Sequence, residues 1–131
     1  MKDRVFLDAN VLFSAAWLEQ AGLARLWRLS GTDLLSSRVA LAEAERNLDS
    51  DARRSRLQSF AAKLTLVDAP PGAALPAGIE LVAKDAPILL AAIDAGASHL
   101  LTGDRRHFGH LYGKSVSGVK ILMPAMYLKS R

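Results

Sequence analysis

Apolar residues fall along this chain in short runs and helix-spaced stretches, with Gly, Pro, Asp and Ser at the joins. Val5-Phe6-Leu7 is an apolar run with a β-branched start, and it reads as a buried strand of a sheet covered on both faces. Asp8 follows at once, and Asn10 supports a turn or helix start. From Phe13 to Leu29, Ala15, Ala16, Leu18, Ala21, Leu23, Leu26 and Trp27 recur at a spacing closer to helical than to alternating. A helix is predicted there, with Gly22 as its weak point and Gly31 as its end. Asp33 to Ser36 suits a second strand, and Ser37 is placed to cap the next helix. Val39 to Leu48 is rich in Ala, Leu and Glu and continues through charged residues toward Phe60 and Leu64, as two helices or one bent one.

Leu64 to Val67 reads as a third strand. Asp68 to Gly78, with Pro70, Pro71, Gly72 and Pro76, reads as a surface loop. A domain linker there is rejected, because the residues beyond it would make a poor independent core. Asp85-Ala86-Pro87 starts a helix that runs through Ile88, Leu89, Ala92 and Ile93 to Gly96. His99 to Thr102 is the next strand, ending at Gly103-Asp104. Val119 to Leu122 is the last, followed by Pro124 and a terminal helix through Leu128. Alternating strands and helices imply a three-layer α/β/α sandwich with a mainly parallel sheet and right-handed crossovers, built as one domain over residues 1–131.

Composition narrows the chemistry. Half of the 131 residues are hydrophobic and 23% are charged, which fits a globular domain with a sizeable core. The chain has no cysteine, so a metal would have to accept oxygen or imidazole ligands. No apolar run approaches the ~18 residues of a membrane span, and the charged start is neither a signal peptide nor an anchor. A soluble cytoplasmic protein without a membrane partner is expected. A formal charge of +4 is compatible with a polyanionic partner. Arg46, Arg53, Arg54, Arg56 and Lys63 gather mid-chain, and Arg105, Arg106, His107 and His110 follow a late acid; the bland reading of such runs is a solvated helix face.

The acids carry the sharper signal. Asp8 and Asp104 each follow an apolar strand, and parallel strands would place both at one sheet edge, where open α/β sheets bind ligands. Glu43 and Asp85 come from helices that would pack beside that edge. Clustered carboxylates raise one another's pKa unless a cation binds, and hard divalent ions prefer such oxygen sites. The ordinary readings stand beside these. Asp85 in a first helical turn is normal helix stabilisation, and Glu45, two residues from Glu43, is an equal candidate on spacing alone. His107 reads as a packing and hydrogen-bonding residue rather than a ligand. Trp17 and Trp27 read as core or interface rather than base-stacking platforms.

Leu7-Asp8-Ala9-Asn10-Val11-Leu12, Ser37 through Glu43 with Arg46-Asn47-Leu48, Lys84-Asp85-Ala86-Pro87-Ile88-Leu89, and Leu101-Thr102-Gly103-Asp104 resemble, in order, the acidic motifs of PIN-domain nucleases. The likeness is greatest to the toxin-like bacterial group related to the VapC ribonucleases, and it extends to the Val119–Pro124 segment. It implies a PIN-like fold and a metal-dependent endoribonuclease using Mg2+ or Mn2+, the ion activating water and offsetting charge on the phosphate. Asp8, Glu43, Asp85 and Asp104 would be the catalytic acids and metal ligands, and Asn10 and Thr102 would shape the pocket. The resemblance selects Glu43 over Glu45, because the family acid lies six residues after the serine occupied here by Ser37. Many family members carry a further acid where this chain has Arg105, Arg106 and His107, and the two arginines could instead bind RNA phosphates.

The implied role is the toxin of a type II toxin–antitoxin pair, with an antitoxin protein and a second copy of the chain as partners beside RNA. The alternatives are a non-toxin RNA-processing nuclease and a PIN-like module that binds RNA or protein without cutting. A Rossmann dinucleotide fold is disfavoured because the first strand leads into Asp-Ala-Asn rather than a Gly-rich turn, and no P-loop pattern occurs. A haloacid-dehalogenase-like phosphatase fails at Asn10, since an amide cannot serve as the acid/base of a D-x-D motif.

Overall fold

The first strand, β1 (Asp3–Leu7), runs through the middle of the core, with Val5, Phe6 and Leu7 fully buried. The computed structural model describes residues 2–131. β1 leads into α1 (Ala9–Trp17), a 3-10 helix (Gly22–Arg28) and β2 (Thr32–Ser36). Then come α2 (Arg38–Asn47), α3 (Asp51–Ala61) and the short edge strand β3 (Thr65–Leu66). After a long loop follow α4 (Ala86–Asp94), β4 (His99–Leu101), α5 (Arg105–Phe108) and a 3-10 turn (Gly109–Leu111). The hairpin of β5 (Ser115–Val116) and β6 (Val119–Leu122) and the last helix, α6 (Pro124–Lys129), complete the fold.

The six strands form one sheet in the order β3-β2-β1-β4-β6-β5, parallel except for the β5–β6 pair. From β1 the chain steps outward through β2 to β3, then crosses back to β4 on the opposite side of β1. Right-handed crossovers in opposite directions put α1, α2 and α3 on one face and α4 and α5 on the other. The result is the expected three-layer α/β/α sandwich. The reversal also creates a topological switch point between the carboxyl ends of β1 and β4, where a crevice must open.

Side-chain caps set the helix starts. Ser37 Oγ accepts from Ala40 N at 3.1 Å, and Ser50 Oγ from Arg53 N at 3.2 Å, so the segment after β2 is two helices. At the far end of α4, Gly96 N donates to Ile93 O and Ala97 N to Ala92 O, closing the helix as anticipated.

Three elements differ from expectation. The helix anticipated from Phe13 to Leu29 stops at Trp17, and a 3-10 helix replaces its second half. Arginines of α3 meet the terminal carbonyls of α1: Arg53 Nε donates to Trp17 O at 2.8 Å, and Arg56 donates to Ala16 O at 3.0 Å and to Trp17 O at 3.2 Å. These bonds satisfy carbonyls that a longer helix would have bonded internally. The mid-chain cations are therefore not all a solvated face; Arg54 likewise donates to Leu48 O at 2.6 Å, beyond the end of α2. The sequence reading also missed β5 and α5. Val116 and Val119 are joined through Ser117 and Gly118, both at positive φ (49° and 85°), the backbone that a tight two-residue hairpin needs.

Both tryptophans pack rather than stand free. Trp17 lies 5.1 Å from the Phe13 ring and under the Arg53 guanidinium at 3.6 Å, while Trp27 donates to Phe60 O at 3.1 Å. No helix among the described residues is long and apolar enough to cross a membrane.

Candidate functional site

Strand register brings the first two site elements together. Leu7 pairs with Leu101 and Leu101 with Leu122, so the next residues out, Asp8 and Thr102, leave the sheet side by side. Asp8 is 4% exposed and acts as the N-cap of α1, its Oδ1 accepting from Ala9 N at 2.7 Å. Its Oδ2 accepts from Thr102 Oγ1 at 2.9 Å and from Asn10 Nδ2 at 3.2 Å. The carboxylate is thus held by three donors. Burial nevertheless pushes its pKa up, outweighing the Thr102 and Ala9 hydrogen bonds that lower it, and the neighbouring Asp85 and Glu43 push the same way.

Asn10 and Thr102 tie the two strand ends into one unit. Asn10 Nδ2 also donates to Thr102 Oγ1 at 3.3 Å, and Asn10 Oδ1 accepts from Gly103 N at 2.7 Å. A Cβ at position 103 would stand 3.3 Å from that amide oxygen, so glycine permits the close approach. Thr102 Oγ1 accepts from Asp104 N at 3.1 Å, and Tyr112 Oη donates to Thr102 O at 2.8 Å from outside.

Asp104 caps α5, its Oδ1 accepting from His107 N at 3.1 Å. Asp85 stands at the start of α4 yet makes no capping hydrogen bond. It is 7% exposed, and its Oδ2 is buried without a hydrogen-bond partner. The ordinary helix-stabilising reading of this acid therefore lacks its usual capping contact. Burial raises its pKa; His107 and Lys84 oppose that rise, and Asp104 and Glu43 add to it.

His107, read from sequence as a packing residue, sits among the acids. Its Nδ1 lies 2.8 Å from Asp85 Oδ2 and 2.9 Å from Asp104 Oδ2. The readable signal was its place three residues after a capping Asp, where the backbone turns back over the cap.

Glu43 and Glu45 separate on α2. Glu43 lines a cleft of about 450 Å³ with Ala9, Asn10, Phe13 and Asn47, whereas Glu45 accepts from Gln58 Nε2 at 3.2 Å on the exposed side. A second cleft of about 400 Å³ is lined by Glu80, Leu81, Val82, Arg106, His107 and His110. Asn10, which bonds Asp8, lines the first cleft, and His107, which meets Asp85 and Asp104, lines the second. Arg105 and Arg106 are exposed, and neither side chain has an ion-pair partner among the described residues.

The sheet, mainly parallel between two helix layers, makes an α/β/α architecture with acids at its switch point. Among solved structures, the chain is similar to one in the crystal structure of VapBC2 from Rickettsia felis bound to a DNA fragment from their promoter. The TM-score is 0.62 and the identity 16%, covering 90% of this chain and 96% of that chain. At that identity the likeness bears on the fold alone. No family model and no curated protein matches the sequence.

Proposed function

We propose that this protein is a metal-dependent endoribonuclease that hydrolyses RNA phosphodiester bonds, with Asp8, Glu43, Asp85 and Asp104 holding Mg2+ or Mn2+. One observation carries the reading: Asp85, buried at a helix start, caps nothing, and its Oδ2 has no hydrogen-bond partner while Asp104 and His107 converge on it. A buried carboxylate left in that state is costly unless a cation completes it, so the donor set fits a divalent ion. When bound, that ion would supply Lewis acidity toward a phosphate oxygen and make hydroxide available near neutral pH.

The chain's own residues then have separable roles. Asn10 and Thr102 orient Asp8 and keep its Oδ2 from rotating. Glu43 presents a carboxylate from the first cleft, beside Asn10. Arg105 and Arg106, exposed directly after Asp104, offer planar forks to phosphate oxygens and position the strand without reading its bases.

The toxin of a type II toxin–antitoxin pair is the role we favour, with an antitoxin and a second copy of the chain as partners. The fold shared with a chain of VapBC2, solved on promoter DNA, supports this.

Cleavage of RNA by purified protein with and without Mn2+ or Mg2+ tests the activity. Asp8→Asn should abolish metal-dependent cleavage, and Glu43→Gln should cost far more than Glu45→Gln. Undiminished cleavage by Asp8→Asn refutes the site. Changing Arg105 and Arg106 together to Ala should weaken binding to many RNAs alike and flatten its salt dependence.

A further inference from the structure

We infer that His107 Nδ1 is a nitrogen ligand in this centre, completing an Asp85–Asp104–His107 triad that selects a first-row transition ion, Mn2+, over Mg2+. The inference rests on the metal-dependent reading above and adds a ligand and a metal preference to it.

The three ligand atoms lie within 4.8 Å of one another. The two nitrogen–oxygen separations, 2.8 and 2.9 Å, are close to the ~3 Å that separates neighbouring ligands of an octahedral ion at ~2.1 Å from each. They are also short enough for hydrogen bonds, yet neither contact has hydrogen-bond alignment: Asp85 Oδ2 and His107 Nδ1 are both buried without a partner. Convergence without alignment is the arrangement that ligands of one ion adopt.

The backbone fixes the ring where it is. Asp104 spends Oδ1 on His107 N and leaves Oδ2 facing the ring. Asp85 makes no side-chain cap on α4, so its carboxylate is free to face the same point. Imidazole among the ligands shifts preference away from Mg2+, a hard ion that seeks oxygen, toward first-row transition ions.

The test is Mn2+ binding to metal-free protein, read by electron-spin-echo modulation with isotopically labelled histidine and by calorimetry against Mg2+. In the wild type, bound Mn2+ should show histidine nitrogen coupling and bind more tightly than Mg2+. In His107→Phe the coupling should vanish and Mn2+ affinity fall by roughly 10-fold or more, while Mg2+ affinity changes much less. Mn2+ that binds without nitrogen coupling overturns the inference and leaves the acidic metal site standing. Equal losses for both ions overturn the preference. A gain in affinity in His107→Phe would show an imidazole competing with the metal, and also overturns it. Mg2+ binding without Mn2+ binding overturns this inference alone, and no binding of either ion removes both it and the metal-dependent nuclease reading. The wild-type coupling requires no variant to fold.

Discussion

Asn10 is the position at which charge can be separated from hydrogen bonding. Its amide nitrogen lies 3.2 Å from Asp8 Oδ2 and 3.3 Å from Thr102 Oγ1, and its oxygen accepts from Gly103 N at 2.7 Å. Asn10→Ala removes those bonds, and at ~0.5–1.5 kcal/mol each, discounted for water reaching the exposed Gly103, the loss is ~1–3 kcal/mol. Asn10→Asp keeps the acceptor for Gly103 but sets a carboxylate against Asp8. Two unit charges 3.2 Å apart repel by ~5 kcal/mol at an effective dielectric of ~20. Proton uptake caps the penalty, since protonating an ordinary carboxyl at about pH 7 costs ~4 kcal/mol. In EDTA, Asn10→Asp should therefore lie ~1–3 kcal/mol below Asn10→Ala, a sizeable share of a typical ~5–15 kcal/mol stability. Urea unfolding of both variants in EDTA at about pH 7 measures the gap. The gap should close as pH falls, because the crowded pair takes up a proton, and narrow in saturating Mn2+. Equal stability of the two variants in EDTA at neutral pH would mean that Asp8 is not an anion there, and would refute the electrostatic account of the site.

Three further outcomes follow from the same geometry. Arg53→Ala, which loses the bond to Trp17 O, the stack on its ring and the pairing with Asp49, should lower stability by ~2 kcal/mol in urea unfolding; Arg56→Ala should lose ~1–2 kcal/mol. Metal-free wild type should be more stable in mild acid than at neutral pH with respect to Asp8 and Asp85. Their folded pKa values are raised, so this contribution is complete below the unfolded value of ~3.9 and is lost as pH rises through the folded values. Urea midpoints across that range in EDTA, flattened by Mn2+, check this; a rise in midpoint toward neutral pH in Asp8→Asn relative to wild type is the corresponding signature. Gly118→Ala, at φ 85° in the β5–β6 turn, should cost ~1–2 kcal/mol and leave metal binding unchanged.

What the sequence determined by itself was the order of elements and the end of the sheet that carries the acids. Val5-Phe6-Leu7 and Leu100-Leu101 are apolar runs with an acid beyond each, and once both are parallel strands Asp8 and Asp104 must share an edge. Ser37 as a helix cap and the start of α4 at Asp85-Ala86-Pro87 were readable for the same local reason: capping and proline preferences act within one turn of chain. Tertiary structure decided what depends on a partner far away in sequence. The apolar spacing from Phe13 to Leu29 is continuous, but Arg53 and Arg56, more than thirty residues on, take the carbonyls at which α1 stops. Glu43 and Glu45 are equivalent by spacing, and only the packing of α2 against α1 and α3 turns one toward Asn10 and the other toward Gln58. His107 belongs to the same class. Its neighbour Asp104 is local, but Asp85 arrives from another helix through the sheet crossover, so the convergence of three side chains on one point could not be read from the spacing of any one segment.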